Sequence, residues 1–269
     1  MQVVTVCNHK GGCGKTTTSI NLAAYLALKD KKVLLIDLDP QGAATTGLGI
    51  DKWRLNNQMY DVMVKDTPLQ NIILPTEISG LFIAPCNIDL SGAEPELANQ
   101  IARELILKEK LAPVKDYDYI IIDMPPRADL FLRMSIMASD YLIFSLTPTV
   151  FSDKGIPSLM IPIQKQQQIY KKENNKEFII LGAINSKTKA NINTQSIISE
   201  NSNDQIKRLI GNENKLFKTS IAEASVVEDS QTGNGSVLFY KPTEKTVKLY
   251  FELTLEILER IYTLEMLRK

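Results

Sequence analysis

Short apolar runs rich in Val, Ile and Leu alternate along the chain with stretches whose apolar positions recur every three or four residues. That alternation predicts βαβ units and a mostly parallel sheet. The expected strands are Val3 to Cys7, Lys32 to Asp37, Leu81 to Ala84, Tyr119 to Asp123, Tyr141 to Leu146 and Phe178 to Ile184. Ile120-Ile121-Ile122 and Ile179-Ile180-Leu181 are continuous rather than alternating, so both runs are expected to be buried on two faces, as central parallel strands require. Helical spacing predicts helices from about Lys15 to Leu28, near 94–110, 129–139 and 153–172, and from Thr243 to Arg268. The fold class is α/β, a mostly parallel twisted sheet flanked by helices on both faces. No repeat or low-complexity linker divides the chain, which predicts one domain over residues 1–269.

The last helix carries Lys245, Lys248, Glu252, Glu256 and Glu259 at spacings of three and four, a single solvated stripe. Its apolar face is expected to pack on the sheet. Three glutamates on the polar face would be repelled by anionic lipid, which argues against a membrane-surface helix.

Composition narrows the class. The chain has 269 residues, 44% hydrophobic and 23% charged, enough apolar material for a core without staples. No apolar run approaches the ~18 to 20 residues that span a bilayer, and the N-terminus lacks signal-peptide features, so a cytoplasmic protein is expected. Cys7, Cys13 and Cys86 are an odd number without a secretory signal, which makes a disulfide framework improbable. Cys7, ending an apolar strand, reads as core. The 31 basic and 31 acidic side chains cancel, which argues against permanent, tight nucleic-acid binding.

The segment Lys10-Gly11-Gly12-Cys13-Gly14-Lys15-Thr16-Thr17 lies between a predicted strand and a predicted helix. Glycines there permit a tight turn whose backbone N–H groups converge on phosphate oxygens, and the following helix N-terminus adds partial positive charge. Lys15 would reach the β- and γ-phosphates and the Thr16 hydroxyl would ligate Mg²⁺. The usual pattern G-x-x-x-x-G-K-[ST] has Gly where this chain has His9, and an added lysine, Lys10, stands inside the loop. His9 reads as a loop residue and Cys13 as the variable position of the turn. Two further apolar strands end in carboxylates, one in Asp37-Leu38-Asp39-Pro40-Gln41-Gly42 and one in Asp123-Met124-Pro125-Pro126. Strand C-termini are where open α/β sheets bind ligand, and Asp123 suits Mg²⁺ as a Walker B aspartate does.

Together these three motifs resemble the deviant Walker A P-loop ATPases and, through Asp37-x-Asp39-Pro40-Gln41-Gly42, the ParA/Soj partition ATPases among them. The resemblance runs over almost the whole chain, including Tyr141 to Thr149 and Gly182-Ala183-Ile184-Asn185. It implies that Lys10 crosses a dimer interface to the partner's phosphates and that Lys15 binds the β- and γ-phosphates. It further implies that Thr16 holds Mg²⁺ with Asp37 and Asp123, that Asp39 positions the attacking water and that Asn185 contacts adenine. Implied in turn are ATP and Mg²⁺ as cofactors, an ATP-sandwich homodimer, nonspecific binding to double-stranded DNA on the nucleoid, and a ParB-type centromere-binding partner that stimulates hydrolysis. Plasmid or chromosome segregation is the implied role. The chain begins at its first strand and so resembles the short form without an N-terminal helix-turn-helix. It departs from the family pattern at Arg127-Ala128-Asp129, at Lys154 and at Glu223, which touches the DNA and partner surfaces rather than catalysis.

Three relatives give competing expectations. A MinD-like division-site ATPase calls for a basic amphipathic tail, which the Glu-rich end does not supply. A nitrogenase-reductase-like protein needs cluster cysteines beyond the phosphate loop, where only Cys86 stands. A ParA-like ATPase positioning a protein cargo on the nucleoid would share the same cycle. The neutral total conceals a polarity. Lys171 to Lys218 holds nine basic and five acidic residues, a net of +4, and Ile221 to Glu265 holds four basic and eight acidic, a net of −4. Lys187, Lys189, Lys207, Arg208, Lys215 and Lys218 are the candidates for DNA phosphate contacts.

Overall fold

The computed structural model describes residues 1–8, 11–126, 130–147, 163–169, 171, 178–188, 215–222 and 245–267. Its sheet is built from β1 (Gln2–Cys7), β2 (Val33–Asp37), β3 (Leu74–Pro75), β4 (Leu81–Ala84), β5 (Tyr119–Asp123), β6 (Tyr141–Leu146), β7 (Ile179–Thr188) and β8 (Ile221–Ala222). The strand order is β3-β4-β2-β5-β1-β6-β7-β8, parallel at every pairing except β3 with β4. It is flanked by α1 (Lys15–Leu28), α2 (Ala43–Gly47), α3 (Met59–Val64), α4 (Ala93–Leu97), α5 (Ile106–Leu111), α6 (Leu130–Ala138) and α7 (Lys245–Met266), with short 3₁₀ turns between some of them. A further helical segment covers 163–169.

The continuous apolar strands are explained by apolar clusters on both faces. Leu35 and Ile121 join α1 and α7 on one side, whereas Leu34, Ile36, Ile120 and Ile122 join α3 to α6 on the other. Alternate residues of a strand point to opposite faces, so a sheet covered twice needs apolar side chains at every position. Helix α1 shows the result, because every residue except Thr16 and Leu28 is buried. Its Tyr25 hydroxyl donates to the Val247 carbonyl of α7 at 2.6 Å.

Several expectations need correction. The helix expected near 94–110 is broken into α4 and α5, with Ala102 between them in the left-handed region at φ 54. Apolar spacing does not report such a turn. Ile179 and Ile180 are half-buried rather than buried on both faces, and only Leu181 is enclosed. On α7, Lys245, Lys248, Glu252 and Glu259 are exposed as expected, but Glu256 leaves the stripe. It accepts the backbone N–H groups of Lys218 and Thr219 and pairs with Arg260 at 2.9 Å. The α7 face opposite this stripe packs on the core through Val247, Tyr250, Leu253, Ile257 and Ile261. All three cysteines are buried and none forms a disulfide.

Candidate functional site

The carboxyl ends of β1, β2 and β5 meet at one edge of the sheet. Strand β1 runs into the glycine-rich turn, in which Gly12 (φ 71) and Gly14 (φ 83) adopt the left-handed backbone that a side chain disfavours. Gly14 also stands at the N-cap of α1, with no side chain capping the helix. The N-cap residue thus supplies no side-chain acceptor to the first turn of α1, whose N-terminus faces this loop, the arrangement that receives an anion. Lys15 is buried at 6% exposure, with its Nζ 3.9 Å from the Cys13 sulfur. Burial pushes the Cys13 thiol above its ordinary pKa, so it remains a neutral neighbour at physiological pH. Lys10 and His9 lie outside the described residues.

Asp37 and Asp123 are register partners on adjacent strands and are both fully buried. Asp37 is engaged by its own loop. Its Oδ2 accepts the Thr45 N–H at 2.8 Å and the Thr45 hydroxyl at 2.7 Å, and its Oδ1 accepts the Asp39 N–H at 3.1 Å. Asp123 accepts the Ser19 hydroxyl on Oδ1 at 3.1 Å, while its Oδ2 is buried without a hydrogen-bond partner. Burial pushes the Asp37 carboxyl up to about 6, the Thr45 and Asp39 bonds resisting this. Burial, and then the neighbouring Asp37, push Asp123 up to about 7, opposed by Thr16 and Lys15. Two buried carboxylates with one bare oxygen are a strained arrangement that a divalent cation relieves.

The residues fit magnesium arriving with a nucleotide. No group of three or more His, Cys, Asp or Glu side chains is assembled as a cage among the described residues. Mg²⁺ keeps several waters and binds through one or two protein oxygens plus phosphates. The bare Asp123 oxygen and the Thr16 hydroxyl, which opposes the rise in the Asp123 pKa, would suit Mg²⁺, with Asp37 in register on the neighbouring strand as a second carboxylate. Asp39, half-buried, folds back to accept the Gln41 N–H at 3.0 Å. Within β7, Asn185 is 8% exposed and its Oδ1 has no hydrogen-bond partner, an open acceptor of the kind an adenine amino group requires.

The proposed DNA contacts divide differently. Lys189, Lys207 and Arg208 lie outside the described residues, as do Arg127-Ala128-Asp129, Lys154 and Glu223. Lys187 falls in β7 and Lys218 is exposed. Lys215 turns inward instead. It donates to the Ile180 carbonyl at 2.7 Å, and burial followed by the nearby Arg260 lowers its pKa. Sequence reasoning missed Thr45, Ser19, Ser145 and Ser186. The last two offered a faint signal, since each places a hydroxyl near the end of an apolar strand beside the ligand edge.

Strand, glycine turn and helix N-terminus, with acidic residues ending the neighbouring strands, define a P-loop nucleotide-binding protein. The sequence pattern of a family described as an AAA domain matches residues 1–180. The chain is 34% identical over 257 residues to the sporulation initiation inhibitor protein Soj of Bacillus subtilis, covering 95% of this chain and 98% of Soj. It is 33% identical over 260 residues to the chromosome partitioning protein ParA of Myxococcus xanthus, covering 96% and 88% respectively. Among solved structures, cobyrinic acid a,c-diamide synthase from Mycobacterium smegmatis with bound ADP and magnesium superposes with a TM-score of 0.82 at 26% identity, covering 97% of this chain and 96% of that one. A variant of Cyanothece McdA in complex with ATP superposes at 0.79 with 25% identity, covering 96% of each. The chain belongs to this AAA-domain family as a ParA/Soj-type P-loop ATPase, with ATP and Mg²⁺ as its cofactors.

Proposed function

We propose that the protein is a DNA-partition ATPase whose ATP-bound homodimer holds double-stranded DNA without sequence specificity and is released when a ParB-type partner stimulates hydrolysis. The observation that carries this reading is the match to Soj and ParA from end to end, with the loop, Asp37, Asp39 and Asp123 assembled at one edge. The synthase neighbour superposes as well but at lower sequence identity, so it speaks for the shared ATPase scaffold rather than for its own reaction.

In this reading Lys15 and the first turn of α1 bind the β- and γ-phosphates. Thr16 and Asp123 hold Mg²⁺, which when bound neutralises charge on the phosphate oxygens. Asp39 orients water, Asn185 accepts from adenine, and Lys10 reaches the phosphates of the second copy. Hydrolysis of the γ-phosphate is mostly positioning and charge neutralisation, so a lysine supplied across the dimer makes turnover depend on assembly. Location on the nucleoid follows from the DNA contact. Among the described residues no helix is long and apolar enough to cross a membrane, and the exposed glutamates of α7 disfavour anionic lipid.

DNA contact is assigned to the basic stretch around Lys187, Lys189, Lys207, Arg208 and Lys218, doubled by dimerisation so that weak contacts add. Lys215, turned toward Ile180, serves the fold instead. Lys207→Glu combined with Arg208→Glu is expected to abolish ATP-dependent DNA binding while ATP affinity is retained. Unchanged DNA affinity at low salt would refute the assignment.

A further inference from the structure

We propose that Ser145 and Ser186 form a buried hydroxyl relay that sets the orientation of the phosphate-loop peptide between Cys13 and Gly14, and that both are positioning residues for nucleotide phosphates. Ser145 is fully enclosed near the end of β6, and Ser186 is 3% exposed on β7. The Ser145 hydroxyl lies 2.5 Å from the Cys13 carbonyl oxygen and 2.9 Å from the Ser186 hydroxyl. A carbonyl cannot donate, so the single Ser145 proton is committed to Cys13. Ser186 must then be the donor to Ser145. The chain has one direction, from Ser186 through Ser145 to the Cys13 carbonyl, and each bond polarises the next.

The consequence for the loop follows from peptide geometry. No cis peptide occurs among the described residues, and in a trans peptide the carbonyl and the N–H point in opposite directions. Drawing the Cys13 carbonyl down onto the serines therefore turns the Gly14 N–H toward the opposite side. Both hydroxyls lie directly under Gly14, where a Cβ would sit 3.7 Å from the Ser186 oxygen and 3.8 Å from the Ser145 oxygen. The Gly14 carbonyl begins α1 by accepting the Thr18 N–H at 2.9 Å. Without the relay, the 13–14 peptide can rotate about the left-handed Gly14, and a backbone donor of the cradle is lost. Ser186 also follows Asn185 directly, so the relay ties the strand proposed to contact adenine to the loop proposed to hold phosphates.

This inference rests on the loop being the phosphate site, and the test separates the two. Displacement of a fluorescent ADP analogue from the full-length protein by ATP, ADP or AMP is measured for wild type and variants. Ser145→Ala is expected to weaken ATP and ADP about 5- to 30-fold, the loss of a buried hydrogen bond to the loop. AMP, which lacks the β-phosphate, should shift less than twofold. Ser186→Ala, the milder change, should weaken ATP about 2- to 5-fold, and the double variant should be no weaker than Ser145→Ala because the two act in series. Wild-type ATP affinity in Ser145→Ala, equal losses for all three nucleotides, or multiplying effects in the double variant would each overturn the relay. Lys15→Ala is run alongside. Its loss of ATP binding with an unchanged Ser145→Ala rejects the relay alone, whereas ATP binding retained in Lys15→Ala rejects the phosphate site and the relay together.

Discussion

Loss of the Lys15 ammonium is expected to remove nucleotide binding altogether, and loss of the Asp39 carboxylate to leave it intact. Asp39→Ala should bind ATP and dimerise yet fail to hydrolyse, read by phosphate release beside size-exclusion chromatography with ATP. Wild-type turnover in that variant would contradict a water-positioning role. Thr45 acts through another group. Its hydroxyl donates to Asp37 and accepts the Cys86 N–H at 3.0 Å, so Thr45→Val strands polar atoms in a fully buried place. Urea unfolding should show a loss of about 1 to 3 kcal/mol. The placement of Lys15, Thr16 and Asp123 at the ligand edge was legible in the sequence, because each stands beside the end of an apolar run. Thr45, Ser19 and Ser145 were not, since their meaning lies in partners far along the chain, such as Asp123 for Ser19.

At the scale of elements, legibility follows length. Strands β4, β5 and β6 and helix α1 coincide with their predicted bounds, because an apolar run between turn residues is an unambiguous period. β3 and β8 have two residues each, too few for any period to register. Helix α7 was legible as amphipathic, but its anchoring was hidden. Arg260 donates to the Leu181, Lys215 and Leu216 carbonyls, pairs with Glu256, and lies 4.1 Å over the Phe217 ring. It therefore ties α7 to β7 and to the 215–217 segment. Arg260→Ala is expected to destabilise the fold by about 2 to 4 kcal/mol, because it removes charge-assisted bonds and leaves carbonyls unpaired. Hydrogen exchange should accelerate in β7 and at 215–222. Unchanged protection there would contradict this anchoring role.

For the whole molecule, one edge of one sheet gathers the chemistry, while charge is distributed unevenly along the sequence. The zero total is a sum of a basic stretch and an acidic one, so it argues against permanent DNA binding and is compatible with the proposed contact switched on by dimerisation. Which of the basic side chains face outward was not legible, because charge counted along a chain does not report orientation, as Lys215 demonstrates. The central claim is that ATP, and not ADP, creates the DNA-binding state. Sedimentation of the wild-type protein with double-stranded DNA, in ATP with Mg²⁺, in ADP with Mg²⁺ and without nucleotide, tests it directly. Retention on DNA only in the ATP sample is the predicted result, and equal retention in all three samples, or none in any, would contradict it.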